Sequence, residues 1–434
     1  MKRKIIIFGL LCVMLASLFS FNANAKDVPD LSKVNNVCVY NVENDRMLHK
    51  KNEKDRIAPA STVKIMTGIL AVEHFEGRLG EAVTATNKSI GSYQGKNIGL
   101  KNGELVTVEN LLYALIVRGA NDAANVLGFE IAGSHDAFLQ MMNDKAKELG
   151  MTDTLYTNAG GYYDSAMYTT ASDTLLLAKY AYANDTYMKL CSTEKYVIPP
   201  TNKIVQDRYL HNSNYLIATN EQKQYKNTAA KGMNAGSTNE GGHVVVTATS
   251  RNGMTNLFVV MGGSIDEENV YSYKAVNELI DWSYKNFEYI KIVDTSEMVC
   301  EAKVNLSSNV DYVVLSPEKE FEYYLPVTVD PEKDITRNVV LYQDEFTAPL
   351  DAGFVAGKMT LIYDGQEIGE VNLVTKNNVD RNGFLYFLAR IKTFTKSSTF
   401  TTIILSIIGV FVLYVLIAVY RRIQKNRYKY RYRR

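Results

Sequence analysis

The most informative ten residues of this 434-residue chain read APASTVKIMT and occupy positions 58–67. Ser61 and Lys64 are three residues apart, and the apolar residues after them recur at the spacing of a buried amphipathic helix. Pro59 lies near the predicted helix start. Because positions i and i+3 share one face of a helix, we expect the Lys64 amine to reach the Ser61 hydroxyl. A serine beside a lysine is a known arrangement for nucleophilic catalysis.

The Ser-x-x-Lys spacing occurs three times, so the spacing alone does not identify a nucleophile. The copy at Ser192 precedes a predicted strand that ends in a turn. The copy at Ser316 lies in a charged segment, which we predict to be a solvent-exposed turn. Ser61 is the candidate nucleophile because, of the three, it alone opens an apolar helix.

The two ends of the chain predict export and membrane attachment. Residues 1–25 are typical of a secretory signal, with an uncleaved N-terminal anchor as the alternative. Residues 400–420 are apolar and long enough for one membrane crossing. The basic tail at 421–434 predicts a cytoplasmic C-terminus and an extracytoplasmic body. A nucleic-acid patch is the alternative for that tail, whereas the net charge of +1 argues against nucleic-acid binding elsewhere.

Periodicity in the body of the chain predicts a mixed domain followed by an all-β domain. The pattern predicts two strands within 37–47, helices at 109–133, 136–149, 170–182 and 270–287, and a hairpin formed by 243–248 and 256–261. After about residue 290, the short alternating segments are 310–315, 325–329, 339–342, 359–363 and 371–374. The predicted division is a signal (1–25), a main domain (26–290), a small all-β domain (291–380), a juxtamembrane segment (381–399), a transmembrane helix (400–420) and a basic tail (421–434).

The sequence does not indicate a metal-binding or cofactor-binding site. Beyond the signal, the cysteines are an odd and scattered trio at 38, 191 and 300, which predicts buried apolar side chains rather than disulfides or a metal site. The five histidines show no metal-binding spacing. We therefore expect no cofactor and no metal.

The segment around Ser61 resembles the active-serine motif of the serine-type D-alanyl-D-alanine carboxypeptidases, which are low-molecular-mass penicillin-binding proteins. The resemblance extends over nearly the whole chain, through 112–124, 157–173, 212–216, 231–243 and 346–374. It implies the penicillin-recognising, β-lactamase-like serine transpeptidase fold, of α+β/α/β class, with an antiparallel sheet between helices. It also implies a Ser61 acyl-enzyme, a peptidoglycan stem peptide as substrate and β-lactams as further ligands.

Two motifs depart from the family pattern. The second motif, Ser-x-Asn in the family, has Gly119 in place of the serine and keeps Asn121. The third motif, Lys-Thr-Gly in the family, reads Asn234-Ala235-Gly236 here. The resemblance assigns catalysis to Ser61, Lys64 and Asn121. It assigns substrate binding to Gly119, Asn234, Gly236, Ser237 and Thr238, and we add Arg118 as a replacement cation, with a solvated surface arginine as the alternative.

The departures leave more than one function open. The leading hypothesis is a single-pass cell-membrane carboxypeptidase homologue that trims stem peptides with reduced activity. The loss of a proton-relaying hydroxyl at 119 alone predicts a penalty of roughly 10²–10⁴-fold. The alternative is a non-catalytic cell-wall peptide binder or scaffold on the same fold. A β-lactamase shares the Ser61 and Lys64 chemistry but does not explain the all-β domain and the anchor.

Overall fold

The computed structural model describes residues 28–218 and 222–431. The predicted signal, residues 1–25, lies outside the described residues, as does the end of the basic tail. The described chain divides into two compact units. One ends at Glu288 and also includes Tyr324–Thr328, and the other contains Tyr289–Tyr323 and the chain from Val329 onward.

The first unit contains both strands and helices. Its strands are β1 (Asn36–Asn41), β2 (Arg46–Lys51), β3 (Ala82–Ala85), β4 (Glu104–Thr107), β5 (Lys195–Ile198), β6 (Arg208–His211), β7 (Ala230–Thr238), β8 (Gly242–Arg251) and β9 (Met254–Gly263). Its α-helices are α1 (Val63–His74), α2 (Asn87–Ile90), α3 (Val108–Tyr113), α4 (Asn121–Ala132), α5 (His135–Glu148), α6 (Ala171–Tyr182), α7 (Asp185–Cys191) and α8 (Tyr271–Asn286). Short 3₁₀ turns lie at Ala60–Thr62 and Lys223–Tyr225, and a π-helical turn lies at Ala114–Arg118.

The central sheet of this unit is antiparallel, with strand order β2-β1-β9-β8-β7. The predicted hairpin is confirmed as β8 and β9. Asn252 and Gly253 join these strands with φ values of 54° and 79°. Two left-handed residues in a two-residue turn match the twist of the flanking strands, so the Asn-Gly pair sets the register.

Helices cover both faces of the sheet, as the family resemblance implied. Val244 and Val246 of β8 join a core that contains residues of α1, α3, α4 and α6. Val245, on the opposite face, packs in a second core with residues of α8. Each fully buried side chain of this size contributes about 1.5–3 kcal/mol. The two cores therefore fix the sheet, whose edge strand β7 packs against the 3₁₀ turn that carries Ser61.

The predicted all-β region is confirmed, with β10 (Phe287–Val293), β11 (Cys300–Asn305), β12 (Tyr312–Pro317), β13 (Phe321–Pro326), β14 (Ile335–Leu341), β15 (Glu345–Thr347), β16 (Val355–Tyr363) and β17 (Gln366–Thr375). Six of these strands form one sheet in the order β14-β16-β17-β12-β11-β15. Two local predictions were wrong. Residues 325–329 do not form a strand of their own, because β13 ends at Pro326. Ser316 is not in an exposed turn, since it pairs with Val374 of β17 and is 1% exposed.

Two helices follow the all-β region. The predicted juxtamembrane segment contains α9 (Gly383–Thr395), whose first turn is capped by the Asn382 side chain. The final helix, α10, spans Ser398–Arg431. Its segment Ser398–Gln424 contains an 18-residue window with a mean hydropathy of 2.9. In the part of the chain that the structure describes, this is the one helix long and apolar enough to cross a membrane.

Candidate active site

Ser61 lies in the 3₁₀ turn that leads directly into α1. Pro59 occupies the N-cap position of this turn. Ala60, between Pro59 and Ser61, has a φ of 47°. A non-glycine residue in the left-handed region is uncommon, and such backbone strain is frequent at functional sites. The sequence therefore places a half-buried serine at a sharp, strained bend, one turn before a buried lysine.

Lys64 is only 4% exposed, although lysine is rarely buried. Its Nζ atom donates a hydrogen bond to the carbonyl oxygen of Gly160. Burial, and secondarily the charge of Lys96, lower the pKa of the Lys64 amine from its usual 10.5 to about 7. A substantial fraction of the amine is therefore neutral at physiological pH, which is the form that accepts a proton from a serine. The expected hydrogen bond from Ser61 to Lys64 stays a prediction.

The segment that provides this carbonyl is fixed to α1. The Thr67 hydroxyl donates to the Ala159 carbonyl at 2.8 Å, one turn along the same helix. The Asn158 side chain accepts from the Gly161 backbone N–H at 2.7 Å, which holds the loop in a tight bend. These bonds position the Gly160 carbonyl over the lysine. The resemblance covered this segment without predicting its contact with Lys64.

The third-motif residues lie on β7, which we call the sheet side of the site. A Cβ added at Gly236 would overlap the Ser61 hydroxyl, so the strand approaches the serine as closely as only glycine permits. Asn234, two residues earlier, lies on the same face of the strand. It is 6% exposed, and its Oδ1 atom has no hydrogen-bond partner among the described residues. Ser237 is exposed, and Thr238 uses its hydroxyl to accept from the Gly241 N–H at 2.9 Å.

The second-motif residues lie on what we call the helical side, formed by Gly119, Asn121 and the loop 91–99. Gly119 ends the π-helical turn with a φ of 77°. A Cβ added there would lie 3.7 Å from Ser213 Oγ, 3.8 Å from Lys96 Cδ and 4.0 Å from Lys64 Cε. The position of the missing serine is therefore surrounded by a hydroxyl and two lysine side chains.

Asn121 begins α4 beside this position. Its backbone N–H donates to the Lys96 carbonyl at 2.8 Å, and its Nδ2 atom donates to the Gln94 carbonyl. Its Oδ1 atom is buried and has no hydrogen-bond partner within the described ranges. Arg118, the predicted replacement cation, is exposed at the end of the preceding turn. Neither Lys96 nor Ser213 was among the predicted site residues: Lys96 lies outside the family-like segments, and Ser213 lies in one of them, 212–216, to which no role was assigned.

Thiol and metal chemistry are not indicated elsewhere. Within residues 28–218 and 222–431, no group of three or more histidine, cysteine, aspartate or glutamate side chains is placed to hold a metal ion. Cys38 and Cys191 are buried, and burial raises the pKa of each thiol to about 12. Both are therefore inert apolar side chains, as predicted, whereas Cys300 is only partly buried.

The fold and the Ser-x-x-Lys turn against the sheet edge define the class of penicillin-binding proteins. The chain belongs to the D-alanyl-D-alanine carboxypeptidase family, whose model matches residues 23–265. A second model, the C-terminal domain of penicillin-binding protein 5, matches residues 287–381. The family and the fold predicted from the sequence are thereby confirmed.

Individual relatives agree with this assignment. The chain is 27% identical to the D-alanyl-D-alanine carboxypeptidase DacF of Bacillus subtilis, over 80% of this chain and 85% of that protein. It is 25% identical to DacC of Escherichia coli, over 78% and 82%. Penicillin-binding protein 6B from Escherichia coli superposes with a TM-score of 0.60 at 20% identity, over 81% of this chain and 98% of that structure. At that identity, the structural likeness shows the fold alone.

Proposed function

We propose that this protein is a serine-type D-alanyl-D-alanine carboxypeptidase that trims peptidoglycan stem peptides at the cell membrane. One observation carries the proposal: Lys64, one turn after Ser61, is only 4% exposed. This burial lowers the pKa of its amine to about 7. Buried lysines with a strongly lowered pKa are typical of functional sites. A neutral amine at this position can act as the base that activates the adjacent serine.

The chemistry follows from these two side chains. Ser61 Oγ attacks the carbonyl carbon between the two D-alanines while its proton passes to Lys64 Nζ. The peptide C–N bond then breaks, the terminal D-alanine leaves as an amine that takes up a proton, and an ester to Ser61 remains. Water hydrolyses the ester. The backbone N–H groups of Ser61 and Ser237 are our candidates for the oxyanion hole, where each donor contributes about 2.7–4 kcal/mol.

Turnover is expected to be slow, because two groups of the usual set are replaced. Gly119 has no hydroxyl to relay a proton to the leaving amine, a contribution of roughly 10²–10⁴-fold. Asn234 offers a neutral partner to the terminal carboxylate, and neutral hydrogen bonds are about half as strong as charged ones. Slow acylation followed by very slow release is therefore the expected kinetic pattern.

The membrane location rests on α10. Its apolar part, Ser398–Gln424, is long enough for one crossing. With basic residues after it, the tail would stay in the cytoplasm and the site would face the cell wall. Protease added to intact, wall-stripped cells should then remove the body of the protein, and a protected body would refute this topology.

The second candidate is a non-catalytic binder of stem peptides, which the replacements at Gly119 and Asn234 favour. Release of D-alanine from diacetyl-L-lysyl-D-alanyl-D-alanine by the full chain in detergent separates the two. We expect slow release that Ser61→Ala abolishes and that Ser192→Ala, which removes another Ser-x-x-Lys serine, leaves unchanged. Peptide binding without any release, or equal release from Ser61→Ala, would contradict the enzymatic proposal.

A further inference from the structure

The sheet side of the site has no cation where the family places one. Asn234 occupies the third-motif lysine position and is neutral. His243, further along the sheet on β8, is 7% exposed, and burial with the charge of Lys96 lowers the pKa of its imidazole to about 3. That histidine is therefore uncharged at physiological pH. A substrate that ends in a carboxylate would meet no charge from either residue.

The helical side brings a cation to the same site. The Lys96 side chain passes beside Gly119, with Cδ 3.8 Å from where a Cβ of residue 119 would lie. The same point is 4.0 Å from Lys64 Cε, so the two lysine stems converge on the space left by the missing serine. Lys96 as a residue remains exposed, so a ligand can approach it from solvent.

The loop that carries Lys96 is held in place by the start of α4. Asn121 bonds to the backbone carbonyls of Gln94 and Lys96. The buried Asp122 carboxylate accepts the N–H groups of Ile98 and Leu100 at 3.0–3.2 Å. Together, the Asn121 bond to Gln94 and the Asp122 bonds to Ile98 and Leu100 hold the loop on both sides of the lysine. The backbone that carries the Lys96 side chain is therefore held in place by hydrogen bonds.

We propose that Lys96 binds the terminal carboxylate of the substrate from the helical side, in place of the lysine that β7 lacks. The proposal rests on the function proposed above and names the residue that recognises the anionic end of the peptide. The glycine at 119 is part of the arrangement, because a side chain there would occupy the space beside the Lys96 stem. The like charge of Lys96 also helps to keep Lys64 neutral, a task of the absent third-motif cation.

Calorimetry with two matched ligands tests the proposal. The full chain in detergent would be titrated with diacetyl-L-lysyl-D-alanyl-D-alanine and with its C-terminal amide. We expect the acid to bind the parent more tightly than the amide. Lys96→Ala should weaken binding of the acid by about ten- to a hundredfold, the range of a lost charged hydrogen bond, and leave the amide nearly unchanged. Lys96→Arg should keep the preference for the acid.

Lys101→Ala is the matched control, because it removes an exposed lysine five residues along the same loop region. It should bind both ligands as the parent does. If Lys96→Ala retains the preference for the acid, or if Arg118→Ala rather than Lys96→Ala removes it, the proposal is overturned. Mass analysis of the same samples after penicillin treatment reports separately on Ser61 acylation. If Lys96→Ala loses the preference for the acid while the parent forms no adduct, the result supports the Lys96 assignment and refutes the proposed turnover.

Discussion

The sheet side and the helical side of the site supply different things to Ser61. On the sheet side, the contribution is backbone: Gly236 lets β7 approach the serine, and the neighbouring Asn234 is buried and neutral. On the helical side, the contribution is side chains, since Lys64 and Lys96 converge on the space beside Gly119. The close approach to Ser61 therefore comes from the backbone of β7, whereas the amine groups come from a helix, through Lys64, and a loop, through Lys96.

This difference shows that the chemical group expected at a motif position can be provided by a residue elsewhere in the fold. A backbone contribution needs a particular strand in a particular register, so it is tied to the fold. A positive charge needs only to be near the ligand, because Coulomb attraction is not directional. A loop clamped by Asn121 and Asp122 can thus provide a charge that the strand does not.

The largest effect is expected from breaking the backbone contribution. Gly236→Ala places a Cβ on the Ser61 hydroxyl, so the strand or the serine must move by an ångström or more. Misplacement of that size costs roughly a hundredfold in rate. We expect penicillin acylation to slow by at least that factor. Gly80→Ala is the control, since an added Cβ there meets nothing within 4 Å. Acylation at the parental rate in Gly236→Ala would show that β7 lies farther from the serine.

The pH dependence of the acylation rate tests whether the Lys64 side chain acts as the base. Lys64 accepts a proton only when neutral, and its pKa is lowered to about 7. The acylation rate should therefore be half-maximal near pH 7, reach a plateau above it, and be about a hundredfold lower at pH 5. Lys96→Ala removes one of the two causes of the lowered pKa, so the rising limb should move to higher pH. A rate that does not change between pH 5 and pH 9 would exclude Lys64 as the base.

A smaller effect is expected from restoring the second-motif serine. Gly119 has a φ of 77°, a conformation that costs an L-residue about 1–2 kcal/mol. Gly119→Ser should therefore lower the free energy of unfolding by about 1–2 kcal/mol, as measured by denaturant titration. Gly80→Ser, where no positive φ is required, should change it less. Equal stability of Gly119→Ser and the parent would mean that the serine is accommodated without strain.

Much of the fold was predictable because it follows from local patterns. The Asn252-Gly253 turn, the Thr170 cap at the start of α6 and the apolar run of α10 each have a local physical cause. Ser316 was misplaced because its charged neighbours suggested solvent, whereas pairing with β17 buries it. Tertiary context overrides such local signals.

Site residues that are close together in a sequence motif were predictable, whereas those brought together only by tertiary packing were not. Ser61 and Lys64 are near in sequence, so their shared helix turn follows from spacing. Lys96 is 32 positions after Lys64, and Ser213 is 94 positions after Gly119. Neither has a spacing signal, since strand and helix packing brings them together. The loop between Gly95 and Gly99 was the available hint, because binding residues are disproportionately carried on loops.

The central claim, that the cation has moved from the sheet side to the helical side, is tested most directly by moving it back. Calorimetry would compare the parent, Lys96→Ala, Asn234→Lys and the double variant with the same D-alanyl-D-alanine peptide. We predict that Lys96→Ala loses about ten- to a hundredfold in affinity and that Asn234→Lys recovers much of this loss in its background. The two substitutions should be non-additive, because both cations would bind one carboxylate. Additive effects, or full affinity in Lys96→Ala, would contradict the account.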